Sequence, residues 1–209
     1  MVVYVIRELL RMDEIEQREF PRDRGSTELY EWVRTLVGTV LAVVLLFTFA
    51  ARIMLVDGQS MRETLQNGDA LLVLNSIYCG TYRRGDIVIV RKESFDDGKP
   101  IVKRVIATAG QTVDIDFNAG IVRVDGQKLT EPYIREDTHL QEGTEFPLTV
   151  PAGSVFVMGD NRNDSDDSRD PALGVVDTRY VIGRALFLAF PGKTAELEKR
   201  QLSRIGTLA

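Results

Sequence analysis

From Thr35 the chain reads TLVGTVLAVVLLFTFAARIMLV to Val56, and then DGQSMRETLQNGDALLVL to Leu74. The first 22 of these residues carry Arg52 as their only charge. A helix needs about 20 apolar residues to cross a hydrocarbon core of roughly 30 Å. Residues 35–56 are therefore expected to form a transmembrane anchor, with Arg52 reaching back to the interface. A core helix of a soluble protein normally keeps a polar face, which this stretch lacks. A cleavable leader is disfavoured as well: 34 residues precede the stretch, it exceeds the usual apolar region of about 7 to 15 residues, and no A-x-A follows it.

Within 20 residues before the anchor lie Arg18, Arg22, Arg24 and Arg34, and within 20 after it only Arg62. The positive-inside tendency then makes residues 1–34 cytoplasmic and everything after Val56 extracytoplasmic, giving a single-pass protein of the cell membrane. In the N-terminal segment Val2, Val3, Val5, Ile6, Leu9 and Leu10 fit a short amphipathic helix or a disordered tail equally well.

Beyond the anchor the pattern changes to short runs rich in Val, Ile and Leu. Ala70–Leu74, Asp86–Arg91 and Ile101–Ala107 read as neighbouring strands, and Asp96-Asp97-Gly98-Lys99-Pro100 supplies a turn between the last two. Thr112–Phe117 and Ile121–Val124 flank the hairpin signal Asn118-Ala119-Gly120, and Asp125-Gly126 is a further turn. Ser154–Met158 and Val181–Phe190 complete a mostly-β domain over residues 57–191, a coiled antiparallel sheet with loops. The polar stretch from Glu131 to Pro147 is expected to run over the surface, and residues 192–209 to be a frayed helix or disordered tail.

Composition narrows the chemistry. The net charge of −5 and sequence pI near 5.1 give no electrostatic footprint for nucleic acid. One cysteine, Cys79, and one histidine, His139, leave no intramolecular disulfide and no Cys/His zinc cluster. His139 sits among Glu136, Asp137, Thr138, Gln141 and Glu142 and reads as a loop residue. No metal or organic cofactor is implied, and the oligomeric state is open.

A serine hydroxyl needs a proton acceptor before it becomes a strong nucleophile, and here histidine is nearly absent. Ser60 lies four residues beyond the apolar stretch, and Lys103 lies in the apolar run Ile101-Val102-Lys103-Arg104-Val105-Ile106. Two-residue alternation places Lys103 on the strand face shared by Ile101 and Val105. Burial there disfavours the ammonium form, so the amine becomes a candidate proton acceptor near neutrality. Either residue alone is a weak signal, because most lysines in strands are solvated.

Longer runs strengthen it. Asp57-Gly58-Gln59-Ser60-Met61-Arg62-Glu63-Thr64-Leu65 resembles the nucleophile box of the bacterial type I signal peptidases, single-anchor members of the Gram-positive kind. Gly68-Asp69 and Arg84-Gly85-Asp86-Ile87-Val88 resemble that family's strand openings, and Ile101–Ile106 its lysine box. Gly159-Asp160-Asn161-Arg162-Asn163-Asp164-Ser165-Asp166-Asp167-Ser168-Arg169 is similar to its last box. The resemblance spans about residues 35–190 and implies a membrane-bound serine endopeptidase that removes signal peptides from exported preproteins. It implies Ser60 as nucleophile and Lys103 as general base, Ser165 orienting the amine, and Asp167 and Arg169 pairing to shape their loop. It also implies an extended substrate with small side chains one and three residues before the cut, walled by Leu55–Gln59 and Ile101–Lys103.

Two positions depart from the pattern. Glu63 stands where the box usually has proline, and Gly58 where some members have a serine that assists the oxyanion hole; with Gly58 the oxyanion would rest mainly on the Ser60 N–H. A self-cleaving repressor would share the dyad but needs a DNA-binding domain, against which the anchor and the charge speak. An inactive anchored domain that binds exported peptides would not require Ser60, Lys103 and Ser165 together.

Overall fold

The computed structural model describes residues 24–193 and 200–208. The reading of residues 1–23 as amphipathic helix or tail therefore lies outside the described residues. The chain divides into two compact units, Met1–Leu45 and Leu46–Ala209.

In the first unit, α1 (Arg24–Leu45) exposes large apolar side chains around its whole surface, among them Trp32, Val33, Leu36, Val37, Val40 and Leu41. The Thr39 hydroxyl donates back to the Thr35 carbonyl at 2.8 Å, which satisfies it without water. Glu28–Ala50 is long and apolar enough to cross a membrane.

The second unit opens with a π-helical turn, Leu46–Ala50, followed by β1 (Ala51–Leu55). The expected helix was to continue to Val56; instead it gives way at Ala50 to a strand. Arg-Ile-Met-Leu carries no helical period of its own. Pairing with β2 (Ala70–Asn75), from Ala51 opposite Leu74 to Leu55 opposite Ala70, satisfies its backbone on one side. Arg52 becomes an exposed residue of an edge strand rather than part of a helix.

The strands that follow are β3 (Ile87–Val90), β4 (Ile101–Thr108), β5 (Thr112–Asp116), β6 (Ile121–Val124), β7 (Gln127–Lys128) and β8 (Leu148–Thr149). The last four are β9 (Ser154–Met158), β10 (Val176–Asp177), β11 (Val181–Phe190) and β12 (Gly206–Thr207). All described pairings are antiparallel. The large sheet runs β1-β2-β11-β3-β4-β9-β10 with β12 added to β11, and β7-β6-β5-β8 form a second sheet.

β3 and β4 are neighbours as expected, but β2 and β3 are not, because β11 inserts between them. At ten residues β11 is long enough to pair with both, and register shifts at Val181/Gly183, Ala185/Phe187 and Leu188/Phe190 bend it. Gly183 permits the close approach: a Cβ there would collide with the Leu74 carbonyl. Three apolar clusters form the core. One contains Met61, Leu65, Leu71 and Ile89, a second Val88, Val90, Val105 and Val157, and a third Ile106, Val113, Val122 and Phe156.

Two segments are tied into the fold, although most of residues 131–147 do run over the surface as expected. Between Glu131 and Pro147, Thr138 is fully buried and Glu131 holds the buried guanidinium of Arg162, so this excursion is stitched to the loop after β9. The described end of the tail, 200–208, is neither frayed helix nor disordered. It adds β12 to β11, packs Leu208 against the core cluster that contains Met61 and Leu65, and sends Arg204 to the buried Asp69 at 2.7 and 3.1 Å. Asp69 also accepts the N–H groups of Gln66 and Gly192, closing the turn before β2 onto the exit of β11.

Arg204→Ala leaves a wholly buried carboxylate without its counter-charge. Urea unfolding is expected to show a loss of about 2 kcal/mol. A change within about 0.5 kcal/mol, the range of an ordinary surface substitution, would mean the tail is not anchored there.

Candidate active site

Met61 and Leu65 point into the core at 2% and 0% exposure and are joined by one helical hydrogen bond, Leu65 N–H to the Met61 carbonyl. With those two held, Ser60 sits on the rim of the turn, half-buried. Gly58 has φ +107°, a conformation a serine would adopt only with strain, and its N–H donates to Asn67 Oδ1 at 3.1 Å. The Ser60 carbonyl accepts from Asn161 N–H at 2.9 Å and the Gln59 carbonyl from Asn161 Nδ2 at 3.2 Å. The Ser60 hydroxyl and N–H form no hydrogen bond with the described residues, so both are available to a ligand.

β4 delivers Lys103 to the other side of the same cavity. Alternation puts it with Ile101 and Val105, as expected, and its exposure is 3%. Its Nζ donates to Ser165 Oγ at 3.1 Å, and Ser165 in turn donates to Asp167 Oδ2 at 3.1 Å. A hydroxyl has one proton. Since Ser165 directs it to Asp167, its oxygen must accept from the amine, and an uncharged Lys103 keeps its lone pair for another partner. Burial pulls the Lys103 amine below its usual range. Asp167, Asp166 and Glu142 pull the other way and are outweighed.

Asp167 is held by five donors: Gly159 N–H, Ser165 Oγ, and the N–H, Nε and Nη2 of Arg169. Arg169 is itself fully buried and also donates to the carbonyls of Leu140 and Ser165. Beside this loop, Arg104 and Thr64 both reach the buried Asp160, which ties β4 to the turn carrying Ser60. Gly159 lies at the crossing, where a Cβ would collide with Ser165 Oγ and the Ser60 carbonyl oxygen.

Gly58, Gln59, Ser60, Ile101, Lys103 and Ser165 therefore line one open cavity of about 420 Å³. The sequence reading named all of these but missed Phe95 and Asp96, which complete a wall from the turn before β4. Their signal was the turn itself, whose left-handed Asp96 and Asp97 fold it back on the strand. Of the two walls expected, Leu55 is 71% exposed on β1 and is not part of the cavity lining, and Val102 points into the core. Asp167 and Arg169 lie behind the cavity, as supports. Among the described residues no group of three His, Cys, Asp or Glu side chains could hold a metal ion. A serine side chain and a lysine amine whose charged form is disfavoured by burial line one cleft, the pairing of groups that acyl transfer by a serine nucleophile requires.

Comparison with known proteins bears on the same residues. The family "Signal peptidase, peptidase S26" matches residues 29–190. A signal peptidase I of Bacillus licheniformis is 37% identical, over 79% of this chain and 91% of that protein. Signal peptidase I T of Bacillus subtilis is 36% identical over 80% and 89%, and a signal peptidase I of Mycobacterium tuberculosis 32% identical over 82% and 76%. The matched span runs from the apolar helix through the Ser60 turn, the lysine strand and the Asp167 loop to the end of β11, and on that ground the chain belongs to the signal peptidase family, peptidase S26, and is a signal peptidase hydrolase.

Proposed function

We propose that the protein removes signal peptides from exported preproteins with Ser60 as nucleophile and Lys103 as general base, working while anchored in the cell membrane by its apolar helix. The observation that carries this reading is the Lys103 amine: at 3% exposure it is bonded to a hydroxyl rather than a carboxylate and shares a cavity with Ser60.

The steps balance within the two side chains. Lys103 takes the Ser60 proton, and the oxygen attacks the scissile carbonyl. The Ser60 N–H, free of other partners, donates to the oxygen that becomes negative. As the peptide bond breaks, the lysine ammonium returns the proton to the leaving amine. Lys103 then takes a proton from water, whose oxygen attacks the acyl-enzyme, and the lysine ammonium gives that proton to the departing Ser60 oxygen, restoring both side chains. Ser165 keeps the amine aimed throughout, and the Asp167/Arg169 pair keeps Ser165 aimed.

An extended substrate segment would lie between Gly58-Gln59 and Ile101, by strand addition. Apolarity all round the helix supports a single span, and the arginine asymmetry in its flanks supports a cytoplasmic N-terminus and an extracytoplasmic catalytic unit.

Ser60→Ala and Lys103→Ala are each expected to abolish cleavage of a preprotein in detergent; wild-type turnover in both would end the proposal. The acid limb of kcat/KM should follow deprotonation of an amine lowered by burial, so activity falls as pH drops and is gone below about pH 5. Activity persisting there would exclude a lysine base. Gly159→Ala displaces Ser165 and the Ser60 backbone, so kcat should drop roughly 100-fold. An unchanged kcat would show that the Ser60 and Ser165 segments need not meet at Gly159.

A further inference from the structure

Behind the cavity, the segment from Thr138 to Thr144 is clamped to the Asp167 loop. Thr144 N–H donates to the Arg169 carbonyl at 2.9 Å, Thr144 Oγ1 to the Ser168 carbonyl at 3.2 Å, and Asn163 Oδ1 accepts from the N–H groups of His139 and Leu140. This clamp carries Glu142 inward. Its side chain is 9% exposed and its Oε2 lies 3.8 Å from Arg169 Nε. That Nε already donates to Asp167, as does Nη2, while Nη1 donates to Leu140. One guanidinium thus faces two carboxyl groups and hydrogen-bonds only one of them. Both Glu142 oxygens are enclosed, and among the described residues none closes a hydrogen bond of ordinary geometry to either; the Asp167 N–H faces the carboxyl without completing one.

A carboxyl in that position stores a conflict. Neutral, it leaves Arg169 wholly to Asp167. Ionised, it sets a second negative charge against the same guanidinium and adds to the negative charge felt by the Lys103 amine. We propose that Glu142 is a positioning residue of the Ser60/Lys103 site, its carboxyl controlling the Arg169–Asp167–Ser165 chain that holds the amine. This rests on the reading of the dyad given above and extends it to a residue in a loop outside the boxes that carry the family resemblance.

The charged groups facing Glu142 are Asp166, Asp167 and Arg169 on the loop after β9, and Lys103 on β4 feels it in turn. Burial first, then Asp167, raises the Glu142 carboxyl to about 7, against the pull of Arg169 and the Asp167 N–H. Ionisation of Glu142 near neutrality therefore costs the folded protein. Its folded value exceeds the unfolded one, so the stability it contributes is present at low pH and is lost as pH rises from about 4.5 to about 7. Over the same range, the charge it acquires favours the ammonium form of Lys103 and delays the loss of the lysine proton.

The test compares full-length wild type, Glu142→Gln and Glu142→Leu in detergent, with Ser60→Ala as control. The acid limb of kcat/KM for both Glu142 variants should move to lower pH by about half a unit. Thermal midpoints add a readout independent of activity: the midpoint of Glu142→Gln minus that of wild type should be larger at pH 8 than at pH 5. Ser60→Ala retaining turnover would remove the dyad reading and this proposal with it. If Ser60→Ala is dead while the acid limbs of both Glu142 variants coincide with wild type, the Glu142 assignment alone fails. A merely structural Glu142 would lower activity at every pH and leave the limb in place.

Discussion

The catalytic unit depends on keeping one ammonium-forming group dry. Taking a lysine out of water is costly in its charged form, and the fold exploits that cost by surrounding Lys103 with aliphatic strand residues, Val88 opposite it in the sheet and Val105 on its own face. Among the described residues no carboxylate bonds the amine; the hydroxyl of Ser165 stands between it and Asp167. A direct ion pair would favour the ammonium form and oppose the role proposed for Lys103. An intervening hydroxyl fixes the direction of the amine while leaving its charge state to burial.

Around that amine, buried carboxylates backed by guanidinium groups hold the loops that must meet. Asp167 with Arg169 shapes the loop bearing Ser165; Asp160 with Arg104 joins β4 to the turn bearing Ser60; Asp69 with Arg204 fastens the far end of that turn to the tail. Each pair is specific because the arginine fork donates to both carboxylate oxygens or to a carboxylate and a carbonyl at once. The packing of Met61 and Leu65 then sets where Ser60 stands between these fixed points. Glu142 is the exception, an acid placed against an arginine that another acid already occupies.

Most strands were legible because alternation or short aliphatic runs bounded by Gly, Asp and Pro give local signals: β6, β9 and β11 fall where they were expected, and β2 and β4 within one residue at an end. The placement of β11 between β2 and β3 was not legible, since strand order is decided by non-local pairing. The end of the apolar helix was misplaced by six residues for a related reason. Arg-Ile-Met-Leu suits helix or strand, and only β2 across from it decides. Residues 131–147 and 200–208 look polar and surface-bound in sequence, and most of them are exposed; the hidden part is that single side chains tie them down through partners far along the chain, Arg162 for Glu131 and Asp69 for Arg204. The sequence reading did bring Ser60, Lys103 and Ser165 to one cavity, through motif order rather than through any local pattern.

The charge of the Lys103 amine at working pH can be measured directly. The chain has six lysines, so selective labelling of the lysine side chains, with Lys103→Arg to assign the signal, allows a pH titration by NMR in detergent. An amine that is uncharged at pH 8, with its midpoint well below that of the other lysines, is the expected result. A midpoint near the ordinary value of about 10.4 would contradict the account at its base.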